Sequence, residues 1–285
     1  CDFITYLVEV DSLKLTRADG TVVEAVSAPA RVDFAGLTSL SEIIGADQIP
    51  AGRYVSAAIT LDYNDATIVI DSGSAGVTIM PGHIIDGATG KPLAAPNPTR
   101  VTLQLALDRA HPLIIRPRGI SDLALNFNLA ASNTITPSRT DPSTISVHAV
   151  VTAGLTPDPG KQIHVRGPLV SVNAPAGNYI IDVRPSGGAA AGAGRLTISA
   201  TPATIYLING TGYAGNAGLT QLASLAAGTP TAAYGSWDAT GHRFTASSVL
   251  VGSNVAVRPQ RKPEVLPAAL FARAQRLFPG ARDCL

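Results

Sequence analysis

Charge and sulfur are scarce in this sequence. Only 14% of its 285 residues are Asp, Glu, Lys or Arg, against about 25% in an average soluble protein. Lys and Arg number 21 and Asp and Glu 20, a net charge of +1, which excludes the broad basic face of a nucleic-acid protein. The two cysteines, Cys1 and Cys284, have nothing between them, so a zinc knuckle and a C-x-x-C redox pair are excluded. No apolar run approaches the roughly 18 residues of a membrane-spanning helix. The five histidines, His83, His111, His148, His164 and His242, are nowhere three or four apart, so no helical metal site is indicated. No G-x-S-x-G elbow supports a serine hydrolase. These absences predict a chain without catalytic site, metal or cofactor.

What is present is aliphatic and heavily punctuated. Hydrophobic residues make up 46%, which excludes an ordinary disordered chain. The 27 Gly and 21 Pro divide it into many short elements. Length and texture together predict an all-β, extracytoplasmic protein of two domains and a tail.

Residues 1–155 read as a β-sandwich. Apolar segments at 3–10 and 13–17 lead through Ala18-Asp19-Gly20 into 21–26. Ser39 and Glu42 have capping-box spacing, and Leu40, Ile43 and Ile44 share a face, which predicts one short helix ending at Gly45. Period-2 alternation follows in 54–61, 101–107, 123–129 and 145–151, with shorter strands at 67–70 and 77–80. Residues 81–100 read as a long loop and 154–161 (GLTPDPGK) as the linker.

Residues 162–256 restart the pattern. Six strands are expected at 163–172, 179–183, 196–199, 204–208, 231–234 and 244–251. A short helix carries Leu219, Leu222 and Leu225, and the glycine-rich 187–194 falls inside a hairpin. That suits a small, partly open β-barrel. His148 and His164 fall on the polar phase of their strands, which predicts solvated rings. Residues 257–285 hold six basic and two acidic residues, a net +4 that leaves −3 for the rest. There Leu266, Leu270, Leu277 and Phe278 share one face of a predicted amphipathic helix that docks on protein or touches an anionic membrane surface.

Two stretches carry a resemblance. Residues 32–61 (VDFAGLTSLSEIIGADQIPAGRYVSAAITL) are similar to a bacterial envelope family with a Val-Asp-Leu-type strand, a Leu-rich helix and a Pro-Ala-Gly-x-Tyr turn. Residues 163–252 resemble a second bacterial module. Its marks are Val165-Arg166-Gly167-Pro168-Leu169, Ile208-Asn209-Gly210, the Leu219, Leu222, Leu225 and Gly228 spacing, and Phe244-Thr245-Ala246-Ser247-Ser248-Val249. The resemblance implies a transthyretin-like sandwich joined to the barrel, an envelope location and, in many members, a lipid anchor. It transfers no activity. Members carry a further strand before the position of Cys1, so one sheet position here lacks its usual occupant and offers an edge.

Three states of Cys1 stay open: a lipid-bearing residue, a disulfide with Cys284, or a free thiol. The disulfide is put ahead; within the chain it would stabilise by about 5 kcal/mol in the loop-entropy account.

Residues 68–74 (IVIDSGS) resemble the aspartic-peptidase loop. That chemistry needs two carboxylates sharing a proton, and no second such loop exists, so a homodimer would have to supply a second Asp71. The competing reading, a polar hairpin turn at residues 71–76, is preferred. Asp62, Asn64, Asp65 and Asp71 read as turn acids rather than a Ca²⁺ loop. The leading expectation is therefore a non-catalytic envelope or extracellular structural protein that self-assembles through strand edges and its tail. The alternatives are a glycan- or lipid-binding module, with Tyr206, Tyr213, Tyr234 and Trp237 as candidate lining, and the dimeric peptidase using Asp71.

Overall fold

The computed structural model describes residues 3–26, 29–37, 40–42, 49–71, 76–107, 112–116, 123–136, 143–154, 162–184, 193–238, 241 and 243–255. The expectations for Cys1 and Cys284, the linker residues 155–161, His111, His242, most of the glycine-rich loop, and the tail with Leu266, Leu270, Leu277 and Phe278 lie outside them. The chain is all-β.

The first half contains β1 (Phe3–Arg17), β2 (Val22–Glu24), β3 (Ala30–Asp33), β4 (Leu40–Glu42), β5 (Gly52–Asp71), β6 (Gly76–Ile79), β7 (Ile84–Asp86), β8 (Arg100–Ala106), β9 (Leu113–Ile115), β10 (Ala124–Phe127), β11 (Asn133–Thr136), β12 (Thr144–Val147) and β13 (Val151–Gly154), with a one-turn helix α1 (Leu129–Ser132). The antiparallel β1–β5 pair is the spine. Along β1 the buried residues change phase, from Tyr6, Val8 and Val10 to Leu13 and Leu15. A strand with side-chain period 2 keeps both sets on one face only through a bulge, and the ladder slips between Val10 and Ser12. β5 changes phase likewise, from Ala57, Ile59, Leu61 and Tyr63 to Ile68 and Ile70. There its residues 62–67 pass only residues 9–7 of β1. Segments expected as four strands are thus two long, bent ones.

β2 and β3 pair with the other edge of β1; β6, β8 and β9 pair with that of β5. The small sheets β11-β12-β7 and β10-β13 supply the opposite layer. One apolar core joins the layers, with Tyr6, Val8, Leu61 and Ile68 from the large sheet and Ile84, Ile145 and Val147 from the other. At its centre the Tyr6 hydroxyl donates to Asn133 Oδ1 at 2.9 Å and lies 3.2 Å from the Tyr63 hydroxyl. Phe3, Tyr6, Phe127 and Phe34 form an edge-to-face chain with centroids 5.1, 5.6 and 4.8 Å apart.

The helix expected from the Ser39/Glu42 capping box is corrected. Leu40–Glu42 is extended and pairs in parallel with residues 162–164, which open the second half. A sheet edge offers these three residues backbone partners, and such pairing overrides the weak preference of a one-turn helix.

The second half contains β14 (Gln162–Asn173), β15 (Asn178–Asp182), β16 (Arg195–Ser199), β17 (Ile205–Ile208), β18 (Thr211–Ala214), helix α2 (Gly215–Ala223), β19 (Pro230–Asp238) and β20 (Arg243–Val251). The β17–β18 hairpin adds one strand to the six expected. β14, β15 and β16 form a meander; β16 runs parallel to β20; β20 pairs antiparallel with β19, and β19 with β14. These ladders close a five-stranded barrel, with a helix between the third and fourth barrel strands. That is the Greek-key order of the OB-type barrel. β17 continues along the edge of β20 beyond β16, and the Thr204 hydroxyl bridges the break by donating to the Ala246 carbonyl at 2.7 Å.

Closure depends on two glycines where backbones cross. A Cβ on Gly167 in β14 would lie 1.8 Å from the Asp182 carbonyl oxygen, and one on Gly235 in β19 2.0 Å from that of Thr245. α2 packs its Leu219 and Leu222 into the barrel core, and Gly218 admits the Tyr206 ring, which a Cβ would meet at 2.0 Å.

Candidate functional site

Residues opposed in a ladder share a face of the sheet, so the registers sort the barrel into inside and outside. Inside, Val172, Tyr179, Ile198, Phe244 and Trp237 follow one another across β14, β15, β16, β20 and β19. Outside, the neighbouring positions on the same strands are Asn173, Asn178, Ser199, Thr245 and Ser236. They form a belt of uncharged hydrogen-bonding groups at the roughly 5 Å spacing of adjacent strands.

The part of the belt on β15 and β16 continues into one surface. Its six outward positions are Asn178, Ile180 and Asp182 on β15 and Ser199, Thr197 and Arg195 on β16, paired in that order. Asp182 is flanked by Arg195 across the ladder and by Arg184, whose guanidinium is 3.6 Å from its carboxylate. The surface is therefore neutral towards the Asn178 end and weakly cationic at the other.

The β14–β15 turn borders the neutral end, and the parallel β16–β20 register places the β19–β20 connection towards the Arg195 end. In the β14–β15 turn the Asn173 side chain accepts from the Ala176 amide at 3.2 Å, and Gly177 takes φ +67°. In the β19–β20 connection Asp238 accepts from the Gly241 amide at 2.9 Å and pairs with Arg243 at 3.4 Å. The half-buried Trp237 packs on the core beside this connection. In OB-type barrels the second and third strands and these two connections are the ligand surface.

The aromatic lining expected from the sequence divides. Tyr206 is buried in the core, Tyr213 and Trp237 pack against that core, and Tyr234 lies on the outer face stacked on His164, centroids 4.6 Å apart. The outward polar residues Asn173, Asn178, Thr197 and Ser199 escaped the sequence reading. Their signal was the polar phase opposite the apolar one on each strand, with Asn on either side of Ala174-Pro175-Ala176-Gly177.

His148 is exposed, as expected. His164 is not solvated, which corrects the expectation: it lies between Tyr234 and the paired β4. Burial, with Arg166 adding to it, pushes its imidazole down to about 4. The folded state thus holds it neutral while the unfolded chain protonates near 6.5. Below pH 6.5 the unfolded state binds more protons, so stability falls as pH drops from 6.5 to 4, by up to about 3 kcal/mol. Thermal unfolding over that range should show this slope, and His164→Gln should flatten it.

Asp71 ends β5 opposite Gly76 of β6, exposed on a hairpin. Asp62 is committed elsewhere. It accepts from the Asn64 amide at 2.9 Å and from Arg100 Nε at 3.0 Å, and Arg100 also reaches Asp11 at 3.3 Å. Burial opposes its ionisation, but the hydrogen bonds of Asn64, Thr99 and Arg100 outweigh burial and hold its pKa below the usual value. Among the described residues no three His, Cys, Asp or Glu side chains gather to hold a metal. No helix among them is long and apolar enough to cross a membrane. No family model, curated protein or solved structure matches the chain.

Proposed function

We propose that this is a non-catalytic extracytoplasmic protein whose barrel binds a glycan across the outer β15–β16 surface. The observation that carries the reading is the group of uncharged polar side chains Asn178, Thr197 and Ser199, facing outward on the strands that an OB-type barrel uses for its ligand. Such barrels take oligonucleotides or oligosaccharides. Single-stranded nucleic acid needs aromatic stacking platforms in a positive groove, and none of the six outward positions is aromatic. Hydroxyl and amide side chains suit sugar hydroxyls, each being both donor and acceptor.

The test is a glycan array with the whole chain, followed by calorimetry on the best binder, with oligo(dT) as comparison. The reading expects glycan binding that weakens about tenfold in Asn178→Ala and again in Thr197→Val, the effect of one hydrogen bond each. Binding of oligo(dT) alone, or glycan binding indifferent to both changes, overturns it.

Self-association is the second reading, favoured by one observation. Residues 3–5 of β1 are paired by β5 on one edge and by no described strand on the other, and Ile4 beside that edge is 45% exposed. An open edge is a template for another chain. Sedimentation at rising concentration would read it, and a strictly monomeric protein would remove it.

A further inference from the structure

The sandwich buries Tyr6, Tyr54 and Tyr63 and the barrel Tyr179 and Tyr206, and the two cores treat the hydroxyls differently; Tyr54 donates to the Pro50 carbonyl at 2.7 Å. In the sandwich, Tyr6 and Tyr63 lie 3.2 Å apart, and Asn133 provides the amide oxygen that accepts from Tyr6. In the barrel, Tyr179 and Tyr206 are both 0% exposed, and neither hydroxyl has a hydrogen-bond partner among the described residues. A buried hydroxyl without a partner is among the costlier defects of a folded chain.

The local polar groups cannot serve. Thr204, on the same side of the strand as Tyr206, gives its hydroxyl to Ala246 and accepts from the Thr201 amide at 2.8 Å. Gly218 of α2 lies against the Tyr206 ring and has no side chain to offer. Both rings belong to the one apolar cluster inside the barrel, where burial raises the Tyr179 pKa most and the Tyr206 charge raises it further.

We propose that Tyr179 and Tyr206 share one internal water molecule, bound inside the barrel beneath α2 as a fixed part of the fold. Water is the guest the chemistry selects. It is small enough for a core of Leu, Ile and Phe, and it donates and accepts at once, so it can serve two hydroxyls that each do the same. Buried waters of this kind bridge polar groups that the chain leaves unsatisfied.

The sign of a conservative substitution decides the matter. With an idle hydroxyl, Tyr→Phe removes an unsatisfied polar atom and raises the thermal midpoint or leaves it unchanged. With a bound water, Tyr179→Phe and Tyr206→Phe each lower the midpoint by several degrees. The double variant then loses less than the sum, because both changes remove the same bridge. Water-to-protein NOEs on the whole chain provide the second readout: slowly exchanging hydroxyl protons of Tyr179 and Tyr206 should both show a cross-peak to long-lived water. A rise or no change in either single variant, or hydroxyl protons without that cross-peak, overturns the proposal.

Discussion

Gly167→Ala should destabilise the barrel by about 3 kcal/mol or more, at the upper end of what overpacking does. The added methyl meets backbone on a side where nothing can swing away. Its Cβ would lie 1.8 Å from the Asp182 carbonyl oxygen, 2.8 Å from that carbonyl carbon and 3.2 Å from the Arg184 amide. Relief requires β14 to move away from the end of β15, which breaks the bond from the Arg184 amide to the Arg166 carbonyl at 2.8 Å. Gly212→Ala is the control. It lies in β18 with nothing within 4 Å of the added carbon, so it should change stability by less than about 0.5 kcal/mol. Urea unfolding followed by tyrosine fluorescence would compare them. Equal midpoints for the two variants would show that the crossing of β14 and β15 is not a tight contact.

Tyr6→Ala should cost the sandwich about 3–5 kcal/mol, the usual range for emptying an aromatic core position. The ring is fully buried, stands edge-on to Phe3 and Phe127, and carries a side-chain hydrogen bond that joins β1 to β11. Tyr6→Phe separates the two contributions. It keeps the ring and leaves Asn133 Oδ1 without its donor, for a loss of about 1–3 kcal/mol. Calorimetry assigns each effect to its domain. Gly167→Ala should shift a barrel transition and Tyr6→Ala a sandwich transition, if the halves melt separately. A single shared transition moved by both would mean that they unfold as one unit.

Much of this architecture was legible in the sequence. The alternation in 101–107 and 163–172, and the spacing of Leu219 and Leu222, located β8, β14 and α2 because burial on one face imposes those periods directly. Strand continuity was not legible. The phase change between Val10 and Leu13 looks like a break, and only the partner strand shows that a bulge absorbs it. Short elements such as β7 and β9 draw their order from partners distant in sequence, so no local pattern announces them. Leu40–Glu42 is the clearest case, since its capping signal is real and its partner lies some 120 residues away. The candidate surface was hidden for a related reason. Asn178, Thr197 and Ser199 are unremarkable residues on separate strands, and only the registers place them side by side. Trp237 and Tyr206 attracted attention as aromatics, yet both serve the core. His164 misled because half of a strand's polar phase can be covered by another part of the chain.

That cover has a consequence for anyone dividing the molecule. Residues 163 and 164 of β14 take β19 on one side and β4 on the other, and β4 comes from the first half of the chain. A fragment beginning at residue 162 would keep every barrel strand and lose this borrowed plug. Its bared amides and carbonyls would then be available to any extended peptide in solution, and the excised piece should be stickier than its parent.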